Sequence, residues 1–195
     1  MIRSKIEYRN YLKQDKEALG AAGIKDYIFH DIWRFQRKLR RAEYWHNCSK
    51  GKLSEFISYI CRFMAKNCGR TLGFSIPLNT FGPGLSIAHA GTIVINSHSR
   101  IGKNCRLHVC TVMGASTSNS NEAPTIGDNC YIAPGVKIYG AVVIGDNTGI
   151  GANAVVNKSF LDGNQSIAGM PAKKISNIGP LQFRSFSVQN SKKRD

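Results

Sequence analysis

Ile126-Gly127-Asp128-Asn129-Cys130-Tyr131-Ile132-Ala133-Pro134-Gly135-Val136-Lys137-Ile138-Tyr139-Gly140-Ala141-Val142-Val143-Ile144-Gly145-Asp146-Asn147-Thr148-Gly149-Ile150-Gly151-Ala152-Asn153-Ala154-Val155-Val156 is the stretch that decides the fold of this 195-residue chain. An aliphatic residue stands at every sixth place: Ile126, Ile132, Ile138, Ile144, Ile150 and Val156. Neither the 3.6-residue period of a helix nor the alternation of an ordinary strand gives that beat. It is the mark of a parallel β-helix, in which six residues form one flat face of a coil and the aliphatic residues stack in an inward column. Four places after each aliphatic residue, a small or β-branched one turns inside the corner: Cys130, Val136, Val142, Thr148 and Ala154, with the bulkier Phe160 last. Gly and Asn fill the places between, as in Ile126-Gly127-Asp128-Asn129 and Ile150-Gly151-Ala152-Asn153, which predicts backbone with φ > 0. Asp128 and Asp146, in matching turns, read as turn formers rather than catalysts.

The beat continues upstream through Ile95, Ile101, Leu107 and Met113. From Met113 to Ile126 the step is thirteen, so about seven residues leave the coil. The polar run from Ala115 to Pro124 therefore reads as a protruding loop. Repeat proteins carry such loops on one face, often the binding face.

The net charge is +15 and is uneven: residues 1–72 hold 16 Lys/Arg against 7 Asp/Glu, residues 73–172 hold 5 against 4, and residues 173–195 hold 6 against 1. The basic character belongs to the N-terminal region and the tail, where nucleic acid, anionic lipid and phosphorylated ligands are all candidate partners. Nothing resembling a helix-turn-helix, an RNP motif or a zinc finger supports nucleic acid. The six cysteines show neither a CxxC pair nor zinc spacing, which predicts reduced thiols. The polar start, Met1 to Gln14, predicts no secretory leader, and no apolar run approaches the roughly 20 residues of a membrane span. The expected location is the cytoplasm, with the inner face of the membrane as a further option.

Three regions are expected: a basic helical segment over 1–72, the β-helix over 73–174 and a tail over 175–195. Within the first, helices are predicted over residues 1 to about 24, 26–46 and 53–67, with Gly69 and Gly73 breaking the last. Phe56, Ile57, Ile60, Phe63 and Met64 fall on one face of that helix. Such a face either packs on its neighbours and the first coil, or lies on a membrane surface. After an apolar patch of Leu181, Phe183 and Phe186, the end of the chain reads as a mobile tail.

The coils hold no P-loop, no GxSxG and no His/Cys metal cluster, so the titratable residues that matter are His89, His98 and His108. Counting back by six from Ile95 puts His89 in the inward column, where it is either a core histidine or a catalytic base displaced by a slip near Pro83 or Gly84. His108 follows Leu107 and should face outward as a substrate contact or alternative base; His98 reads as a surface residue.

Residues 74–174 resemble the hexapeptide-repeat acyltransferases, most closely the serine acetyltransferase branch. The matching stretches are Gly82-Pro83-Gly84-Leu85-Ser86-Ile87-Ala88-His89-Ala90-Gly91, Thr111-Val112-Met113-Gly114, Ile150-Gly151-Ala152-Asn153-Ala154-Val155-Val156 and Ala168-Gly169-Met170-Pro171-Ala172-Lys173-Lys174. The resemblance implies a left-handed coil, against the usual right-handed crossover rule. It also implies a homotrimer with sites between neighbouring coil domains, and acetyl transfer from acetyl-CoA to a hydroxyl with His89 as general base. The assignment is chemically sound: a hydroxyl is a poor nucleophile, and an imidazole can take its proton as it attacks the thioester. For coenzyme A, the resemblance points to Gly114, Ala133, Pro134, Gly151 and Ala152 lining a groove, and to Met170, Pro171, Lys173 and Lys174 near the adenine and phosphates. No metal is implied.

The departures concern the acceptor. The family's carboxylate that orients the base is Phe74 here, the carboxylate before the catalytic histidine is Ala88, and the substrate-binding Arg-His pair after the loop is Glu122-Ala123. A zwitterionic amino acid needs a cation for its carboxylate and an anion for its ammonium, and each is missing at its matching position, since Glu122 and Ala123 stand where the cations would be and Ala88 where the carboxylate would be. The expected acceptor is therefore a sugar hydroxyl of a surface glycan. L-serine and a non-catalytic β-helix scaffold stand as alternatives.

Overall fold

The structure is a computed structural model, and it describes residues 1–21, 23–119 and 121–180. The expected tail and its patch at Leu181, Phe183 and Phe186 lie outside the described residues. Four helices come first: α1 (Lys5–Leu19), α2 (Gly23–Phe29), α3 (Asp31–Cys48) and α4 (Lys52–Leu72). The stretch predicted as one helix over 26–46 is two. The chain breaks at His30, which is extended and caps α3 by accepting the Trp33 amide at Nδ1. The last helix also runs further than expected. Gly69 stays inside it, and its lack of a side chain leaves room for the Phe74 carbonyl oxygen and the Phe35 ring, which a Cβ would meet at 3.0 and 3.1 Å; Gly73, at φ 81°, is the residue that ends it.

Five coils follow. The first carries β1 (Phe74–Ser75) and β2 (Ser86–Ile87); the second β3 (Ile93–Ile95), β4 (Arg100–Ile101) and β5 (Arg106–Leu107); the third β6 (Thr111–Gly114), β7 (Thr125–Ile126) and β8 (Tyr131–Ile132). The fourth carries β9 (Lys137–Tyr139), β10 (Val143–Ile144) and β11 (Thr148–Ile150), and the fifth β12 (Val155–Val156) and β13 (Gln165–Ala168), before β14 (Lys173–Ser176). These strands stack into three parallel sheets, β1-β3-β6-β9-β12, β4-β7-β10 and β2-β5-β8-β11-β13, with β14 added antiparallel to β13. The fold is thus a left-handed parallel β-helix behind a helical segment.

The six-residue column is the core: Ile95, Ile101, Leu107, Met113, Ile126, Ile132, Ile138, Ile144, Ile150 and Val156 are all buried, as are the corner residues Cys130, Val136, Val142, Thr148 and Ala154. Ile132 pairs with Ile150, a repeat of 18 residues, whereas Leu107 pairs with Ile132 across 25, so the polar loop adds seven residues and the register then resumes. The corners need left-handed backbone at Asn104, Asn129, Asn147 and Asn153, the residue type that tolerates it best after glycine. Gly127 and Gly151, expected to share that conformation, do not have it. They are small because the next coil is close: a Cβ on Gly127 would stand 2.2 Å from Asp146 Oδ1, and one on Gly151 2.8 Å from the Ala168 Cβ. Asp128 and Asp146 tie the turns together, their Oδ1 atoms accepting the Lys103 and Asp128 amides.

The apolar face of α4 is where packing departs most from expectation. Its buried face consists of Ser58, Cys61, Ala65 and Gly69, which let α3 lie close. Phe56, Ile60, Phe63 and Met64 point away from the protein and are 40–61% exposed.

Candidate active site

Two elements bring His89 to the surface. Ile87 pairs with Leu107 and takes the inward position, so the register slips by two from the simple count and His89 emerges exposed at the corner after β2. It is not a core histidine. The segment before it is held by the helices. Gly84 (φ 80°) has Asn104 Oδ1 where a Cβ would be, only 2.3 Å away, so no other residue fits. Asp15 of α1 accepts the amides of Gly84 (2.8 Å) and Leu85 (2.9 Å). Arg40 of α3 grips Asp15 at 2.8 Å and donates to the Phe81 and Gly82 carbonyls, while Glu43 binds both Arg40 and the Asn79 amide. All three side chains are buried, and the paired carboxylates raise the Arg40 pKa in spite of its desolvation. Sequence reading missed this clamp, because single charges on basic helices look like solvated faces until the fold turns them inward.

His108 follows β5 on the adjacent coil, with its ring centroid 6.3 Å from that of His89 and 5.1 Å from Tyr131. Its Nε2 is buried and has no hydrogen-bond partner among the described residues. Burial first, then the charge of Arg106 and the neighbouring His89, lower its pKa from 6.5 to about 4, so it is a neutral imidazole at physiological pH. Arg106, two places earlier on the same face, donates to the Ser86 hydroxyl at 3.1 Å. Sequence reading also passed over Arg106; the outward alternation Arg106-x-His108 was its signal. His98 is exposed, as expected.

One rung step past the inward column, His108 is followed along the sheet by Ala133, Gly151 and Ala168, and Ala168 pairs with Lys173 on β14. With strands about 4.8 Å apart, this file of small residues runs roughly 19 Å from His108 to Lys173. Pro134 and Ala152 are exposed beside it, and Met170, Pro171 and Lys174 are exposed at its far end, where Lys174 lies 3.9 Å from Asp162. Gly114 is elsewhere: it ends β6, on another sheet, at the corner from which the polar loop leaves, with the Tyr139 ring against it. Phe74, at the position of the family's orienting carboxylate, is core, edge-on to Phe35. Among the described residues no cluster of three metal-ligating side chains occurs.

This arrangement sets two imidazoles beside an exposed corner, with a cation to one side and a small-walled file leading to lysines. The family model for bacterial transferase hexapeptide (six repeats) matches residues 123–158. The serine acetyltransferase of Helicobacter pylori is 32% identical over 120 residues, 60% of this chain and 70% of that protein. That of Staphylococcus xylosus is 31% identical over 140 residues, 71% of this chain, and the match spans only 61% of the relative's length. Among solved structures, Brucella abortus serine acetyltransferase in complex with coenzyme A superimposes with a TM-score of 0.75 at 21% identity, over 90% of this chain and 70% of that one. Neisseria gonorrhoeae serine acetyltransferase in complex with serine gives 0.71 at 19%, over 89% and 71%. The chain belongs to the serine acetyltransferase-like branch of the hexapeptide-repeat acyltransferases.

Proposed function

We propose that the protein is an acetyl-CoA-dependent O-acetyltransferase, and that its acceptor is L-serine. The observation that carries the transferase reading is the pairing of His89 with a neutral His108 at the head of the small-residue file. In this reading His89 takes the proton of the acceptor hydroxyl as its oxygen attacks the thioester carbonyl. The tetrahedral intermediate collapses, the C–S bond breaks, and the imidazolium returns its proton to the leaving thiolate, giving the ester and free coenzyme A. His108, aprotic at one nitrogen, accepts a hydrogen bond from the substrate. Ala133, Pro134, Gly151 and Ala152 line the path of the pantetheine arm, and Met170, Pro171, Lys173 and Lys174 meet the nucleotide end, where ammonium groups suit phosphate.

The named relatives favour serine over the glycan sugar expected from the sequence. Arg106 offers the cation that the matching positions lack, near enough to bear on the titration of His108. A sugar acceptor is the second reading, favoured by one observation: the positions that match the family's amino-acid clamp are Ala88 and Glu122-Ala123. We also propose a cytoplasmic homotrimer. Gly114 and the His89–Lys173 file occupy different corners of the chain, so a single groove contains both only if a neighbouring subunit supplies one of them. Basic helices resting on a membrane complete the proposal.

Thiol release from acetyl-CoA, followed with a chromogenic thiol reagent against serine and a panel of monosaccharides, tests the reading. Release with serine supports it, release with sugars alone moves the acceptor to the glycan class, and none with any acceptor sinks the transferase. His89→Ala is expected to lower kcat by about 10²–10⁴-fold.

A further inference from the structure

A groove of about 620 Å³ opens between the four helices, on a part of the molecule that the acetyl-transfer chemistry does not use. Among the described residues six cations line it, Lys13 and Lys16 from α1 and Arg34, Arg37, Lys38 and Arg41 from α3, and no carboxylate does. Arg34 is neutralised by Asp31. Arg37 lies over the Tyr27 ring, 3.6 Å from its centroid, and donates to the Tyr27 carbonyl, with its Nε buried and unpartnered. Lys13, Lys16, Lys38 and Arg41 form no ion pair among the described residues. Cations gathered this way repel one another unless an anion joins them.

The rim of the groove is apolar. Met64 of α4 lines it, and beside Met64 stand Phe56, Ile60 and Phe63 on the same helix face, spaced i, i+4 and i+7. Ile24 and Phe29 of α2 are 78% and 77% exposed. On the far side of this ridge Arg62, Lys66 and Arg70 line a second hollow. The fold sharpens the imbalance of charge: Asp15 and Glu43 are buried on Arg40, so of the residues 1–72 the surface keeps 15 Lys/Arg against 5 Asp/Glu. An apolar ridge flanked by unpaired cations is complementary to one kind of surface, in which phosphates lie above hydrocarbon.

We propose that the α2/α4 face docks on an anionic phospholipid bilayer, with the ridge entering the headgroup boundary and the groove seating lipid phosphates. This deepens the membrane contact proposed above and stands apart from the acetyl-transfer chemistry.

The test is co-sedimentation of the full chain with vesicles of phosphatidylcholine alone and of phosphatidylcholine mixed with phosphatidylglycerol, at low and raised salt. Binding to the mixed vesicles only, weakened by salt, is expected. The K13E/K38E/R41E variant should partition more than tenfold less, since each cation near such a surface contributes roughly a fivefold factor. F56S/F63S should also detach, and both variants should keep the thiol release of the parent protein, which shows that the fold and the transferase are intact. Equal binding to both vesicle types overturns the proposal. So does competition by glycerol phosphate at concentrations that do not screen charge, which would assign the groove to a soluble phosphate ester. A fall in particle mass in F56S/F63S without lipid, with no vesicle binding by the parent, would make the face an interface between copies.

Discussion

His108 couples the site to pH. A histidine held neutral in the fold must be charged at acid pH, and the folded state resists that. Its pKa falls from 6.5 to about 4, so the contribution of His108 to stability is complete above about pH 6.5 and is lost as the pH drops from there to about 4. Urea titrations across that window should show a steeper loss of stability in the parent protein than in His108→Asn; equal slopes would mean that the ring is not buried as described. At this scale the sequence was only half legible. The aliphatic residue at every sixth place identified the inward column from Ile95 to Val156 correctly. The same count put His89 in that column, and failed because the step from Ile87 to Ile95 is eight where that from Leu107 to Met113 is six, so two residues are added at the corner that carries His89. The slip does not lie at Pro83 or Gly84, since Phe81 and Ile87 pair with Ile101 and Leu107 and keep the six-residue step. The His108 ring lies against Tyr131 on the next rung, 25 residues on in register, a contact that no count along the chain reveals.

Among the elements, the helices act on the coil through the Asp15–Arg40–Glu43 clamp. Removing one member strands a buried charge: Asp15→Ala should cost roughly 3–5 kcal/mol in denaturant unfolding. Buried ion pairs can often be replaced by apolar residues without loss. This one should resist, because Asp15 also satisfies the Gly84 and Leu85 amides and Arg40 satisfies two carbonyls. Asp15→Leu combined with Arg40→Met is therefore expected to remain destabilised, and a return to parental stability would show that the main-chain bonds contribute little. The helix pattern of residues 53–67 was legible, but the direction of its apolar face was not. Amphipathic spacing says that a stripe exists; the small residues Ser58, Cys61, Ala65 and Gly69 decided which stripe α3 would cover.

For the whole molecule, the order of coils, the loop and the helical segment could all be read from repeat and punctuation, because a solenoid contacts only its neighbours. The placement of Gly114 on a different corner from the His89–Lys173 file could not, since it depends on how three faces close into a coil. The closing strand β14 has one more consequence. A ladder of parallel strands offers unpaired backbone at each end, and two such ends could join into a filament. Here the helices stand over the first rung, with α4 against β1 and α1 against β2. At the other end β14 runs the opposite way across β13 and presents Lys173 and Lys174. A chain ending before Lys173 should scatter light and lengthen into fibres with time, where the parent stays dispersed. The two residues proposed to meet a nucleotide thus also lie on the strand that covers the last rung of one sheet.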